Sequence, residues 1–183
     1  MRRPWSKRSF FLWRVTVCFA LLFGGEAATA ESGLEYDVKA AFLLNFTKFV
    51  EWPPAAFTGP DSPISICLMG RDPFGKTLDD IVQGETVNGR KVVVHRLSQA
   101  PGAQTCQVVY LSSSEREVAR TLSGLGQGVL TVGEGANFIR EGGMISFVIE
   151  NRRVRFDINQ NAADKASLRL SSKLLSVARF VQK

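Results

Sequence analysis

Short apolar runs alternate with amphipathic stretches from residue 64 to residue 140, and few folds accommodate that order. The apolar runs predict strands at residues 64–69, 91–97, 108–111 and 129–132. The stretches between them predict helices at residues 76–82, from Ser113 or Ser114 to Leu125, and at residues 136–140. Strands that alternate with helices form mostly parallel sheets. The pattern therefore predicts an α/β layered fold, with a mostly parallel sheet flanked by helices.

Two further strands, at residues 144–150 and 153–158, predict an antiparallel hairpin around Asn151-Arg152 at the edge of this sheet. In the second strand apolar and charged residues alternate: Val154, Phe156 and Ile158 with Arg153, Arg155 and Asp157. This period of two indicates a half-buried strand. We interpret Arg152, Arg153 and Arg155 as a solvated hairpin tip, with a surface for an acidic partner as the alternative.

Helices are predicted before and after the sheet. The first covers residues 34–52 and ends at Pro53-Pro54. Its polar face comprises Asp37, Asn45, Thr47, Lys48 and Glu51, and its apolar face comprises Val38, Phe42, Phe46, Phe49 and Val50. Lys39 falls on the apolar side, which favours a lysine in an ion pair or one that lines a pocket. The closing helix begins at Ser171 or Ser172, and its predicted apolar stripe is Leu174, Leu175, Ala178 and Val181.

The first thirty residues are typical of a secretory signal peptide. A basic opening precedes an apolar run at residues 10–23, and Ala28-Thr29-Ala30 predicts cleavage after Ala30. The alternative is an uncleaved amphipathic anchor, since Arg14 interrupts the apolar run. We expect an exported, soluble chain of residues 31–183 with no membrane span after cleavage.

The formal net charge of +6 belongs mainly to this leader. The leader holds five of the 23 Lys and Arg and one of the 17 acidic residues, so residues 31–183 have 18 basic and 16 acidic residues. This near balance gives no reason to expect a nucleic-acid partner.

Only Cys67 and Cys106 remain after cleavage, and an even pair in an oxidising compartment favours a disulfide. Two free buried thiols are the alternative. A thiol-disulfide enzyme would normally show a close C-x-x-C pair. His95 is the single histidine, so the chain lacks the residues of an ordinary structural zinc site. We expect no metal, no cofactor and no enzymatic activity.

Residues 70–77 fit the phosphate-loop pattern G-x-x-x-x-G-K-[ST], between a predicted strand and a predicted helix. However, Pro73 removes one N–H group from the loop and Phe74 is bulky where a phosphate would lie. No later predicted strand ends in an aspartate that could hold magnesium. We therefore favour a simple strand-to-helix turn and keep a nucleotide hydrolase with Lys76 as the least favoured alternative.

Four segments together resemble the YfiR-type periplasmic repressors: residues 36–46 with 50–53, residues 66–67 with 70–75, residues 142–145 with 154–159, and residues 168–178. The resemblance implies a homodimeric periplasmic domain, residues 31–183, that binds the periplasmic domain of an inner-membrane diguanylate cyclase and represses it. Relief by stress or by an outer-membrane lipoprotein would raise cyclic di-GMP and favour biofilm. Cys67 and Cys106 take the positions of a family disulfide. Residues 144–158 hold no cysteine where some relatives carry a second pair.

The mechanism that we expect is occlusion of the partner. Either an apolar patch on the closing helix or the hairpin with Arg155 and Phe156 would engage the cyclase. The candidate partner- or ligand-binding residues are Lys39, Asn45, Trp52, Arg152, Arg155, Phe156 and Asn159. For each of them, a purely structural role is the alternative. The runner-up function is that of a periplasmic small-molecule-binding protein.

Overall fold

A central sheet organises the protein, for which a computed structural model describes residues 26–98 and 100–183. The α-helices are α1 (Glu26–Phe49), α2 (Lys76–Val82), α3 (Val118–Gly124), α4 (Ala136–Arg140), α5 (Gln160–Lys165) and α6 (Ser172–Val177). The strands are β1 (Val50–Glu51), β2 (Ile64–Met69), β3 (Thr86–Val87), β4 (Arg90–Leu97), β5 (Val108–Leu111), β6 (Leu130–Glu134), β7 (Ile145–Glu150), β8 (Arg153–Asn159), β9 (Arg169–Leu170) and β10 (Phe180–Gln182). Two 3-10 helices, Pro54–Ala56 and Ala100–Thr105, complete the described elements.

The chain divides into a unit that ends at Leu34 and a unit of residues 35–183. Of the predicted leader, residues 1–25 lie outside the described residues. Over the part of the chain that the structure describes, no helix is both long enough and apolar enough to span a bilayer.

The sheet has the order β10-β8-β7-β6-β5-β2-β4-β3. Its centre is parallel: β2 pairs with β4 and with β5, β5 pairs with β6, and β6 pairs with β7. The predicted hairpin is the antiparallel pair β7–β8, with Phe147 opposite Phe156. The predicted α/β class with a mostly parallel sheet and an antiparallel hairpin is thus confirmed.

One further strand, β10, lies outside the hairpin and pairs in parallel with β8. The closing helix was predicted to continue to Val181, but α6 ends at Val177. The physical reason is Arg179, whose N–H donates to the carbonyl of Phe156 at 2.8 Å. Its guanidinium binds both carboxylate oxygens of the buried Asp157, at 2.8 and 2.5 Å. These contacts favour strand pairing over another helical turn.

Further helix boundaries differ from their predictions. The first helix begins at Glu26 and not at residue 34. The first helix ends at Phe49 and not at residue 52, because Val50 and Glu51 pair with β9. The helix predicted from Ser113 or Ser114 begins at Val118. The Ser114 hydroxyl does not cap it, because this oxygen accepts the N–H of Arg71 at 2.9 Å.

Apolar side chains form one cluster on each face of the sheet. The larger cluster includes α1 side chains such as Phe46 and strand residues such as Phe147 and Phe156. The smaller one contains Cys67 and Cys106, which form the predicted disulfide with their Cα atoms 6.0 Å apart. Thr47, predicted on the polar face of the first helix, is buried, and its hydroxyl donates to the Leu44 carbonyl at 2.6 Å. That local bond removes the cost of burying the hydroxyl group.

Candidate functional site: an apolar groove between α1 and α6

An open groove of about 200 Å³ lies between α1 and α6. It is lined by Phe42, Asn45, Phe46, Phe49, Phe156, Lys173, Leu174 and Val177. Val177 is 57% exposed and Phe49 is 36% exposed, although both are large apolar residues. Exposed apolar side chains that line one groove mark a surface suited to an interaction partner.

The α1 wall follows from helical spacing. Phe42, Asn45, Phe46 and Phe49 recur at intervals of three and four residues, so they form one stripe on the helix. The ring of Phe156 lies 5.4 Å from that of Phe42 and 5.2 Å from that of Phe46, and both pairs are edge-to-face. Phe156 is only 1% exposed, so it forms the floor of the groove.

The α6 wall is held in place by a small two-stranded sheet. Val50, directly after α1, pairs with Leu170, which lies two residues before the start of α6. The N–H of Ser171 donates to the carbonyl of Phe49 at 3.0 Å, and the Ser171 hydroxyl then caps α6 by accepting the N–H of Leu174. The end of α1 and the start of α6 are therefore tied together, which fixes the width of the groove.

The groove has the mostly apolar lining of a binding surface. Asn45 and Lys173 are its polar members, and both are exposed. Within the described residues, Lys173 forms no ion pair, so its ammonium group is available to an acidic side chain. The other lining residues are apolar and offer no general base or nucleophile. An apolar side chain of another protein, placed between Phe49 and Val177, would be removed from water at this site.

The structure brings two of the predicted site residues together, because Asn45 and Phe156 both line the groove. Arg155 and Phe156 do not share a surface, since successive strand residues face opposite sides of the sheet. Arg152 lies at the exposed hairpin turn with a φ of 58°. The expected hairpin surface of Arg155 and Phe156 is therefore divided between the two faces of the sheet.

Lys39 occupies a separate buried cluster and is 2% exposed. Its ammonium nitrogen lies 2.5 Å from Glu35 Oε1 and 3.1 Å from Glu134 Oε2. It also lies 4.3 Å from the centroid of the Tyr36 ring. The Tyr110 hydroxyl donates to the other oxygen of Glu134. Of the two interpretations of this lysine, the ion-paired one describes these contacts.

Burial and the nearby carboxylates shift the pKa values in this cluster. Burial alone lowers the pKa of Lys39, but the hydrogen bond that its ammonium group donates to Glu35 and the charge of Glu134 outweigh burial, so the pKa of Lys39 is raised. Burial and then the charge of Glu134 raise the pKa values of Tyr36 and Tyr110. At neutral pH the cluster thus holds a charged lysine and two neutral tyrosines.

Trp52 and Asn159 make structural contacts outside the groove. The indole N–H of Trp52 donates to the Gln107 carbonyl at 3.2 Å. The Asn159 side chain caps α5 by accepting the N–H of Ala162 at 3.0 Å. Asn159 also lines a second, open cavity of about 600 Å³ with Met144, Lys165 and Gln182.

In residues 70–77, which fit the phosphate-loop pattern, backbone N–H groups bind the side chain of Asp72. Asp72 Oδ1 accepts the N–H groups of Phe74 and Gly75, at 2.7 and 3.2 Å. A carboxylate therefore occupies the position from which these N–H groups would hold an anion. The Lys76 ammonium group extends to Asp80 at 3.1 Å, in solvent. These contacts describe a capped strand-to-helix turn.

Sequence reasoning missed Val177 and Lys173 in the groove, and Glu134 in the buried cluster. The signal for Val177 was its spacing, one helical turn after Leu174. Glu134 gave no such signal, because it lies far from Lys39 in the sequence.

Comparison with known proteins assigns the chain to a family. The model of the YfiR/HmsC-like family, DUF4154, matches residues 36–179. A search of curated proteins found no match. Among solved structures, a conserved domain protein from Vibrio cholerae matches with a TM-score of 0.51 at 10% identity, over 80% of this chain.

A second structure is titled the ABC domain in complex with L-Trp, from Streptococcus pneumonia, and matches with a TM-score of 0.46 at 10% identity over 80% of this chain. This chain spans 60% of the length of each of the two structures. At such identity the first likeness supports the fold alone. The family match covers most of the chain, so the chain belongs to the YfiR/HmsC-like family, whose members are periplasmic and regulatory rather than catalytic.

Proposed function

We propose that this protein is exported to the periplasm by cleavage after Ala30, binds the periplasmic domain of an inner-membrane diguanylate cyclase and holds the cyclase inactive. The family supports a regulator that acts with such cyclases. The observation that carries the proposal is the apolar groove between α1 and α6, where Phe49 and Val177 are exposed over a floor of Phe156.

The free energy gained by docking in the groove is large enough to control whether the cyclase is bound. Burial of one large apolar side chain contributes about 1.5–3 kcal/mol, and about 1.4 kcal/mol changes an equilibrium tenfold. One anchor in the groove can therefore change cyclase occupancy by tenfold or more. A competing ligand or an outer-membrane lipoprotein that covers the groove would remove this favourable burial and so release the cyclase.

Intracellular cyclic di-GMP tests the proposal in cells. Deletion of the gene should raise cyclic di-GMP, and the wild-type gene should restore the original level. The Val177→Lys variant should fail to restore it, because a charge would enter the apolar groove. Ile149→Lys is the matched control, since Ile149 is 52% exposed but lies outside the groove.

Lys76→Ala should restore the level as the wild type does, because the ammonium group of Lys76 is exposed and its ion pair with Asp80 lies in solvent. Equal restoration by Val177→Lys and the wild type, at equal protein levels, would contradict the groove as the docking site.

A small-molecule-binding protein is the second candidate, and the cavity beside Asn159 favours it. Saturable binding of a ligand by the purified protein, with no effect of the gene on cyclic di-GMP, would support this candidate over the first.

A further inference from the structure

Three open cavities lie end to end at one edge of the sheet. The first, of about 270 Å³, lies between residues 55–58 and residues 104–107. The second, of about 350 Å³, shares Gln127 and Val129 with the first. The third is the cavity beside Asn159, and it shares four lining residues with the second: Gly142, Met144, Ala162 and Lys165. Because consecutive cavities share lining residues, they form one long cleft, the strand-end cleft.

The strand-end cleft crosses the ends of six strands. Its lining includes the residues directly before β2, β5, β6 and β7: Pro63, Gln107, Val129 and Met144. It also includes Asn159 and Gln182, the last residues of β8 and β10. These six strands are consecutive in the sheet. Since neighbouring strands are about 4.8 Å apart, the cleft is roughly 24 Å long. That length suits an extended chain of several units.

The wall of the first cavity is held in place before any ligand binds. Gln107 is 3% exposed, and its side chain joins two segments of the wall. Its Oε1 accepts the N–H of Ser65 at 2.8 Å, and its Nε2 donates to the Ala56 carbonyl at 2.6 Å. Arg90 donates to two further carbonyls of the same loop, at 3.0 and 2.6 Å. A wall that is already ordered loses little conformational entropy on binding.

The lining carries almost no charge. Apart from the disulfide-bonded Cys106, Lys165 is the single lining residue with an ionisable side chain, although 22% of the chain is charged. A nucleic acid would need several cationic side chains along its phosphates. The strand-end cleft is therefore suited to a neutral ligand.

Side-chain amides recur along the cleft. Gln127 Oε1 accepts the Ser167 hydroxyl at 2.7 Å, and Gln104 Nε2 donates to a backbone carbonyl at 3.4 Å. Within the described part of the chain, the Gln127 amide nitrogen and the Gln104 amide oxygen make no hydrogen bond. Asn161 and Gln182 add two exposed amides in the third cavity. Because a carboxamide both donates and accepts, these groups match the hydroxyl and acetamido groups of a sugar.

Apolar patches alternate with these amides. Phe57 lines the first cavity, and Arg90 lies 3.9 Å from the centroid of its ring. Leu122, Leu125 and Val129 line the second cavity. A sugar ring combines an apolar C–H face with a polar rim, so both kinds of lining have a counterpart on it. An extended peptide is commonly bound by pairing with the edge of a strand. The cleft instead meets the strands at their ends, which favours a sugar chain.

We propose that the strand-end cleft binds a linear, neutral oligosaccharide whose sugars carry acetamido groups. The side-chain amides bind the acetamido and hydroxyl groups, and the apolar patches cover the C–H faces of the rings. The strand-end cleft and the groove between α1 and α6 share no lining residue. The two surfaces can therefore be tested separately.

Isothermal titration of the purified exported protein with N,N′,N″-triacetylchitotriose tests the proposal. The wild type should bind this sugar, and Gly126→Trp should weaken binding at least tenfold. Gly126 lines the second cavity, and a Cβ atom added there meets no atom within 4 Å, so the indole enters the cleft without a backbone clash. Gly124→Trp is the matched control: its Cβ atom is equally unobstructed, but Gly124 lies outside the lining. It should bind as the wild type does.

Three further titrations define the ligand. Cellotriose, which has no acetamido groups, should bind at least tenfold more weakly. Tetra-alanine, a neutral peptide, should not bind. The affinity for triacetylchitotriose should stay constant when NaCl is raised from about 0.05 M to about 0.5 M, because salt screens only charged contacts.

The proposal is overturned if triacetylchitotriose does not bind, or if Gly126→Trp binds it as tightly as the wild type. Equal affinity for cellotriose, tighter binding of tetra-alanine or a loss of affinity in salt would also overturn it. None of these results affects the groove, whose test is cyclic di-GMP.

Discussion

At the scale of single residues, Lys39 is the least expected feature of the core. A buried ammonium group is costly unless it is paired and hydrogen-bonded. Here Glu35 and Glu134 supply the pairing, and Tyr36 supplies a ring face. The cluster connects α1 to the end of β6, so it holds the helix that forms one wall of the groove.

The two partners of this ion pair should respond differently to substitution. Glu134→Gln removes one charge that neutralises Lys39 and weakens the acceptor of two tyrosines, so we expect a loss of about 2 kcal/mol in the free energy of unfolding. Lys39→Met replaces the buried charge with an apolar chain of similar length and should cost less. Urea denaturation of the two variants measures this difference. A larger loss for Lys39→Met would contradict this view of the cluster.

The same cluster predicts alkaline instability. Because the pKa values of Tyr36, Lys39 and Tyr110 are raised in the fold, the native state binds these protons more tightly than the unfolded chain does. Their contribution is complete below the unfolded pKa values, near pH 10, and stability should fall as the pH rises above about 10.

Each proton retained only by the native state contributes a slope of about 1.4 kcal/mol per pH unit. Urea denaturation between pH 8 and pH 11 should show the fall, with a shallower slope for Tyr110→Phe. An identical slope for wild type and variant would exclude Tyr110 as a contributor.

Local sequence was sufficient to identify Lys39 as unusual but not to identify its partner. Helical periodicity places Lys39 on the apolar side of α1, and that placement holds. Glu134 is brought to it only when β6 takes its place beside β5 in the sheet. Contacts between distant segments depend on the whole topology, which no local pattern contains.

At the scale of elements, the longer strands were predicted better than the helix ends, whereas the short strands β1, β3, β9 and β10 were not predicted. Continuous apolar runs such as residues 64–69 are sufficient to identify buried strands. The end of α6 depends on Arg179 and Asp157, which meet only after β8 has formed. The start of α3 similarly depends on the Gly70 loop, which takes the Ser114 hydroxyl away from a capping role.

Substitutions at Asn159 distinguish a structural role of this residue from a binding role. Its side chain caps α5, so Asn159→Ala should lower the free energy of unfolding by about 1 kcal/mol. Asn159→Ser, which keeps a capping oxygen, should recover most of that loss. Thermal unfolding measures both variants, and repression of the cyclase should be unchanged in both. Lost repression by a stable Asn159→Ser protein would instead indicate a binding role.

At the scale of the whole molecule, the fold builds the groove from the two ends of the domain. The first helix and the last helix lie side by side because β1 and β9 pair next to them. The sequence predicted both helices and the sheet between them, together with Asn45 and Phe156 as candidates. It did not predict that the two helices meet, because β1 and β9 have only two residues each and no recognisable pattern.

The central claim is that this groove binds a cyclase, and a direct affinity measurement tests it. Isothermal titration of the purified protein with the periplasmic domain of the cyclase should show at least tenfold weaker binding for Val177→Lys than for the wild type. Ile149→Lys should bind as the wild type does, provided that both variants unfold at the wild-type temperature. Equal affinity for all three proteins, or no binding by the wild type, would contradict the account.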